Sequence, residues 1–571
     1  MSDLLQAHER LAELLLGHID DTVIDLSDRM VLKSSLVALS SSAAMGSSCI
    51  YLSEEVKAVF ERLAEQLLWL SRTASSHRDK AVILLQDDRL YLHKYFKAER
   101  DIEVSLKAFV EQKSVSDEAF ILKKISILKN INDAGKRVIL NTLRQNLSVI
   151  TGGPGTGKTT IVVRVLALLI EKYYLQGQSK LNIEILAPTG KAAARVKESI
   201  VKQKKEWLQD LCGFNKDVVD AIPEKSQTVQ KFLGIHPTTR KSRFKRGQKA
   251  NVDIVIVDEA SMLDVILMKE LLAAIRPTTR LILLGDPYQL ASVEAGNVLA
   301  QIAASAALTE QAWLGQACIK LTESYRFPID SGIGKLAEAT NEGKVAEVLD
   351  ILHDDAFGDV SIGFIDEALA QSIAGYQNYK SVVSSFNETC HHSVADVFTA
   401  FEKWQVFSPF RKGKLGVEGI NLAIEEALSL GPVDTWYVGK PIIITANDHA
   451  LKLYNGDIGI CLDKEGKKVC FPATEPEKSG SQNYRFINTR NLPDHELVFA
   501  MTVHKSQGSE YERCMLVVPE PTDNQRSLLT REILYTAITR AKKAFMLFAT
   551  QSEIKQMVLN KTERMSGLFK T

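Results

Sequence analysis

Cysteines are few in this chain and lie far apart. Seven of them (Cys49, Cys212, Cys318, Cys390, Cys461, Cys470 and Cys514) occur in 571 residues, with no C-x-x-C pair and an odd total, which argues against a zinc ribbon and a disulfide framework. Long apolar runs are also missing. The longest, Ile161 to Ile170, holds ten residues and contains Arg164, whereas a bilayer-spanning helix needs about 20. No transmembrane helix or membrane partner is expected. Asp3, Glu9 and Glu13 occupy the stretch where a signal peptide would have a basic and then an apolar segment, so a cytoplasmic protein is expected. Net charge is absent as well: 70 basic and 70 acidic side chains cancel. Any polyanion must then be held by a local groove and not by bulk attraction.

What is present is an ordinary globular composition, 45% apolar and 25% charged, in a chain long enough for about three or four domains. Residues 1–115 are rich in Leu, Ala and Ser, with helical spacing at Leu4, Leu5, Leu11, Leu14 and Leu15 and no catalytic motif. They are expected to form a helical packing or partner-docking domain. Over 116–320 the short β runs Leu147–Ile150, Ile183–Ala187, Ile254–Val257 and Leu281–Leu284 alternate with helical segments, which implies parallel strands with crossover helices. A second α/β pattern occupies 321–571. It is interrupted at 435–495 by segments such as Pro441–Thr445 and Asp457–Cys461, with turns at Asn455-Gly456 and Glu465-Gly466, a small β insertion. The basic run Arg240, Lys241, Arg243, Lys245, Arg246 and Lys249 reads equally as a solvated loop or as a nucleic-acid or partner contact.

Chemistry concentrates between these elements. Gly152, Gly153, Pro154, Gly155, Thr156, Gly157, Lys158, Thr159 and Thr160 make a G-x-x-x-x-G-K-T loop between an apolar run and a helical one. Glycines let backbone N–H groups turn onto phosphates, and the following helix adds its positive end. Lys158 is placed for the β and γ phosphates of ATP, and the Thr159 hydroxyl for Mg²⁺. The apolar run Ile254–Val257 ends in Asp258 and Glu259, a pair that can divide labour: Asp258 as a Mg²⁺ ligand, Glu259 as the group that polarises the attacking water. Gln289, after the run Leu281–Leu284, can donate to a phosphate oxygen while holding a water, as a γ-phosphate sensor.

Beyond this loop an ordered series of blocks resembles superfamily 1 helicases of the RecD type. The blocks are Ala187-Pro188-Thr189-Gly190-Lys191-Ala192-Ala193, Val257 to Met262, Gly285-Asp286 to Gly296, Ser324-Tyr325-Arg326-Phe327, Tyr454-Asn455-Gly456-Asp457-Ile458-Gly459, Met501 to Gly508 and Leu534 to Ala541. Leu90 to Arg100, Lys561 to Leu568, and the lack of helix-hairpin-helix repeats ahead of the motor direct the resemblance to the RecD subunits of RecBCD-type helicase–nucleases. It implies an α/β protein with two RecA-like parallel-sheet motor domains closing on Mg-ATP, a helical N-terminal domain, and a β-barrel-like insertion in the second motor domain. Arg326 and Arg540, from that second domain, would be arginine fingers, since a permanently charged guanidinium neutralises developing phosphoryl charge. Pro188, Thr189, Thr228, Thr502, His504, Lys505 and Gln507 would line a track for single-stranded DNA, positioning phosphates without reading bases. Movement 5′→3′ on single strands from duplex ends, RecB-like and RecC-like partners, and a role in double-strand break repair by recombination are further implications. The family's adenine-reading Gln has no match ahead of the loop, where Asn132 is the available amide.

Two other classes share parts of this pattern. A P-loop ATPase switch or clamp needs the loop and Asp258-Glu259 but neither the His504–Gly508 nor the Tyr535–Arg540 block. A metal-dependent nuclease could draw on Asp457 or Asp463 with Glu465-Gly466-Lys467, which a solvated glycine turn explains as well. Phe410, Trp436 and Tyr437 read as base-stacking platforms or core. Removing residues 1–115 is expected to abolish assembly and spare nucleotide binding.

Overall fold

Runs too short for periodicity to register pair into a small sheet near the amino terminus. The computed structural model describes residues 2–19, 24–71, 81–112, 122–125, 131–177, 180–210, 213–236, 239, 241–244, 247–292, 294–308, 312–328, 330–389, 393–448, 450–473 and 484–570. β1 (Cys49–Tyr51), β2 (Leu70–Ser71), β3 (Ile83–Gln86) and β4 (Arg89–Leu92) form a sheet of order β1-β4-β3-β2 among the helices Ser2–Leu16, Leu26–Ala44, Glu54–Leu63 and His93–Glu111. The helical N-terminal domain is thus corrected to a mixed α/β one. Its strands span only two to four residues each, below the length over which alternation can be read.

The helix His93–Glu111 belongs energetically to the first motor sheet. Its Tyr95, Ala98, Ile102, Leu106 and Phe109 share one apolar core with Val149, Val255, Leu281 and Leu283 of that sheet. A cut at residue 115 would strip this core, so such a deletion is expected to disturb the lobe that carries the phosphate loop as well.

The first motor sheet contains β5 (Leu147–Gly152), β6 (Ile183–Ala187), β7 (Gln227–Thr228), β8 (Ile254–Val257), β9 (Arg280–Gly285) and β10 (Cys318–Leu321), in the order β10-β5-β9-β8-β6-β7. Every pairing is parallel. β5, β8 and β9 are buried throughout, as expected of parallel strands covered on both faces by crossover helices. A second parallel sheet begins with β11 (Val360–Gly363) and β12 (Trp404–Ser408). The chain then leaves it for an antiparallel sheet of β13 (Pro441–Ile444), β14 (Ile458–Asp463), β15 (Lys467–Pro472), β16 (Tyr484–Asn488) and β17 (His495–Leu497). Its order is β16-β15-β14-β13-β17. Among the described residues the end strands β16 and β17 do not pair, so the insertion is an open sheet and not the barrel-like unit expected. β18 (Ala500–Thr502), β19 (Tyr511–Val517) and β20 (Ala541–Phe548) complete the second sheet, ordered β11-β20-β19-β12-β18 with all pairs parallel.

After the helix Gln551–Leu559 the chain crosses back to its beginning. Arg564 donates to the carbonyls of Ser292 (2.6 Å), Glu294 (3.1 Å) and Gly296 (3.1 Å). Ser48 N–H donates to the Met565 carbonyl at 2.9 Å, and the Ser48 and Ser566 hydroxyls both donate to the buried Glu99 carboxylate at 2.5 Å. Leu568 and Phe569 enter the core of the first motor sheet. No described helix is long and apolar enough to cross a membrane.

Candidate active site

The phosphate loop leaves the C-terminal end of β5, the strand next to the edge strand β10, and runs into the helix Lys158–Leu175. Gly155 adopts φ 77°, and a Cβ built there would lie 2.3 Å from the Arg326 Cβ, so both conformation and space require glycine. Lys158 Nζ donates to the carbonyls of Gly152 (2.6 Å) and Gly153 (2.9 Å), and Thr156 Oγ1 to Gly153 O (2.9 Å). Pro154, Gly157, Thr159 and Thr160 line the same cleft of about 780 Å³.

Carboxylates reach this cleft from the neighbouring strand ends. Asp258 and Glu259 follow β8; Glu259 sits at φ 52°, ψ 39°, a left-handed conformation that strains a residue with a Cβ and so marks a held position. Its N–H donates to Asp258 Oδ1 at 2.9 Å. Burial, reinforced by Glu259 alongside, pushes the Asp258 carboxyl up to about 6. Asp286, after β9, is also raised by burial. It accepts from Tyr288 N (3.0 Å), Gln289 Nε2 (3.3 Å) and the Tyr535 hydroxyl (2.8 Å). Gln289 therefore lines the cleft with its amide turned to Asp286.

The facing wall comes from the second sheet. Arg540 immediately precedes β20 and donates from Nη1 to Ser509 O (3.0 Å) and from Nε to Thr536 O (3.3 Å). Arg326 is placed differently from the sequence expectation. It lies on the segment leaving β10, an edge strand of the first sheet, and that segment touches the phosphate loop: Tyr325 N donates to Gly155 O at 2.8 Å. The guanidinium of Arg326 meets the second lobe at Glu510 and at Thr539 O (3.4 Å). Lys158, Asp258, Glu259, Gln289, Arg326 and Arg540 nonetheless share one cleft.

Several residues of this cleft had no sequence signal of their own. Arg195 and Glu510 line it; Tyr325, from the Ser324–Phe327 block, also lines it, is 64% exposed and lies beside Gly157. Asn132, the amide available to read adenine, is already engaged: it caps the helix Asp133–Arg144 by accepting from Gly135 N at 2.8 Å and donates to Glu323 at 2.6 Å.

The expected track residues fall on both lobes. Pro188 and Thr189 follow β6, and Thr228 ends β7 in register with Ala187, so they share one strand-end edge. Thr189 and Thr228 accept from Ala192 N and Lys231 N, each at 3.2 Å, as helix caps. Across the cleft, Thr502 ends β18 and His504 is exposed. Lys505 pairs with Glu496 at 2.6 Å, and Gln507 Nε2 crosses between lobes to Leu290 O at 2.7 Å. Phe410 and Tyr437 are core residues, 3% and 4% exposed, which removes them as stacking platforms, while Trp436 packs at 5.4 Å on the His495 ring. In the basic run Arg243 lies over Phe244 at 4.8 Å and Lys249 donates to Ala273 O at 2.7 Å; Arg240, Lys245 and Arg246 lie outside the described residues. Asp457 and Asp463 accept from Tyr454 N (2.8 Å) and Gly466 N (3.2 Å), as turn residues do.

Residues 136–295 match the family described as an AAA domain, and residues 497–548 the UvrD-like helicase C-terminal domain. The RecBCD enzyme subunit RecD of Haemophilus influenzae is 35% identical over 482 residues, covering 77% of this chain and 72% of that protein. Its counterpart in Mycobacterium tuberculosis is 33% identical over 510 residues, covering 88% and 83%. The chain belongs to the RecD family. RecD-family membership accounts for both matched segments, which carry the phosphate loop with Asp258-Glu259 and the Thr502–Arg540 wall respectively. Among solved structures, the Pif1 helicase from Bacteroides in complex with ADP-AlF3 and single-stranded DNA aligns with 75% of this chain and 94% of its own at a TM-score of 0.39 and 16% identity.

Proposed function

We propose that this chain is an ATP-dependent DNA helicase that moves 5′→3′ along single-stranded DNA, as the RecD subunit of a RecBCD-type assembly acting in recombinational repair. The observation that carries this reading is one cleft with Lys158, Asp258 and Glu259 on one wall and Arg540 on the other, bridged by Arg326. Lys158 neutralises the β and γ phosphates, Glu259 orients the attacking water, and the two arginines take up charge that develops on the transferred phosphoryl group. The buried Asp258 carboxyl, which accepts from the Glu259 N–H and keeps lone pairs for a cation, and the Thr159 hydroxyl fit Mg²⁺. Asp258 and Thr159 would hold the ion, which would supply positive charge against the phosphates.

Coupling to DNA has a physical route. Gln507, in the proposed track, bonds to Leu290 O, and Tyr535 bonds to Asp286. Closure on nucleotide therefore moves the Asp286–Leu290 segment against groups that face DNA, and alternating grip gives stepwise movement.

The test is steady-state ATP hydrolysis with and without single-stranded DNA. Strong stimulation by DNA is expected, with Lys158→Gln and Arg540→Ala each lowering turnover by about a thousandfold. A rate indifferent to DNA would identify a protein-gated switch and overturn the motor reading. Copurification followed by mass measurement tests the RecB-like and RecC-like partners.

A further inference from the structure

Four cations gather round one carboxylate at the mouth of the cleft. Glu510 pairs directly with Arg326, with Arg195 Nη1 at 3.6 Å and Lys542 Nζ at 3.8 Å. Arg540 bonds to the carbonyl of the preceding residue, Ser509. The cluster joins three segments that are distant in the chain. Arg195 comes from the helix Gly190–Asp210 of the first lobe, Arg326 from the segment after β10, and Glu510, Arg540 and Lys542 from the starts of β19 and β20.

Burial alone would raise the Glu510 carboxyl, but Arg195, Arg326, Arg540 and Lys542 together hold it below the usual carboxylate range. It is thus a fixed anion. Arg326 is crowded in turn, since burial and the neighbouring Arg540 and Arg195 all disfavour its charge and Glu510 supports it. A guanidinium in this position has two competing anionic partners: the Glu510 carboxylate, and a phosphoryl oxygen bound over the loop it already touches. A charge-assisted bond to a part-buried carboxylate is strong enough to compete. When Arg326 turns to phosphate, the ionised Glu510 must keep a counter-ion, because an unpaired buried charge is strongly disfavoured. Arg195, the nearer of the two remaining ion-pair partners, sits on the lobe that carries the phosphate loop.

We infer that Glu510 is a positioning residue that holds Arg326 away from the γ phosphate until nucleotide competes for it, and that Arg195 takes over the carboxylate at that moment. This rests on the reading of the cleft as the site of ATP hydrolysis. Arg326 availability then sets how tightly ATP is held and how fast it turns over without DNA.

The experiment is ATPase kinetics on the full chain. Glu510→Gln frees Arg326, so the KM for ATP falls and DNA-independent turnover rises, each by about tenfold. Arg195→Gln leaves Glu510 bound more firmly to Arg326 and shifts both quantities the opposite way. In the Glu510→Gln background the Arg195→Gln effect vanishes, a non-additivity expected only of coupled groups. Glu510→Asp, which keeps the charge, restores most of the wild-type KM relative to Glu510→Gln. A raised KM in Glu510→Gln, or an Arg195→Gln effect of equal size in both backgrounds, overturns the inference. Should Glu510→Gln not fold, Arg195→Gln decides alone: its side chain is 34% exposed and tolerates the change, and an unaltered KM would refute the latch. Arg326→Ala distinguishes a failed latch from a failed finger. Full hydrolysis in that variant removes the arginine-finger reading itself, whereas its loss beside an inert Glu510→Gln removes only the latch.

Discussion

Lys191, at the start of the helix Gly190–Asp210, holds an enclosed ammonium with no hydrogen-bond acceptor among the described residues, where the first lobe meets Tyr454 and Gly456 of the insertion. Burial, helped by Arg195 and Arg540, brings it down to about 8 in spite of Asp457 and Glu402 nearby. Between about 8 and the ordinary lysine value of 10.5 the unfolded chain binds more protons at this site than the folded one, so stability rises with pH across that window. Below it the penalty is fully present. Lys191→Met is expected to raise Tm at pH 7 by a few degrees and to flatten the rise on the alkaline side, read from melting curves at a series of pH values. An unchanged or lower Tm at pH 7 would show that the ammonium has a stabilising partner.

Contacts between elements, more than single residues, decide where the cleft's groups stand. The segment after β10 lies on the phosphate loop, so Gly155→Ala must push Arg326 while straining a left-handed backbone. Turnover is expected to fall by about a hundredfold with a much smaller change in Tm, because a misplacement near 1 Å is enough to disable chemistry. Equal losses in rate and Tm would mark a folding defect instead. The same segment shows where sequence reading stops. Asp258 and Glu259 are legible because they end an apolar run that β8 reproduces, and Lys158 because it closes the glycine loop that follows β5; local order encodes all three. Arg326 is legible as a residue but not in its place, since Cys318–Leu321 is four residues long and its pairing with β5 is set by distant packing. β1 to β4 and β7 escaped for the same reason. Arg195 and Glu510 carry no local signature whatever; only the approach of two lobes gives them a common neighbour. Asn132 misled in the opposite way, its amide being consumed by a helix cap.

Across the whole molecule, the first motor sheet and the amino-terminal unit are fastened together by residues 564–570. Arg564 fills a nest of three carbonyls, Ser566 satisfies Glu99, and Leu568 and Phe569 are buried, 4% and 5% exposed. Ending the chain at residue 560 leaves Glu99 short of donors and exposes apolar core. Each buried apolar side chain contributes about 1.5–3 kcal/mol and each hydrogen bond to a charged group about 1.5–3 kcal/mol. A loss of this size is a large part of a domain's stability. The truncated protein is expected to melt well below the full chain and to expose the 1–112 region to protease first; cleavage confined to the second lobe would argue against this fastening.

Because residues 564–570 come after everything they touch in chain order, the lid on Glu99 is made only after the groups it covers. A growing chain carries Ser48 and Glu99 for more than four hundred residues of translation before Ser566 arrives. Closure of the Glu99 site therefore waits on the synthesis of Ser566, however early the segments between them fold.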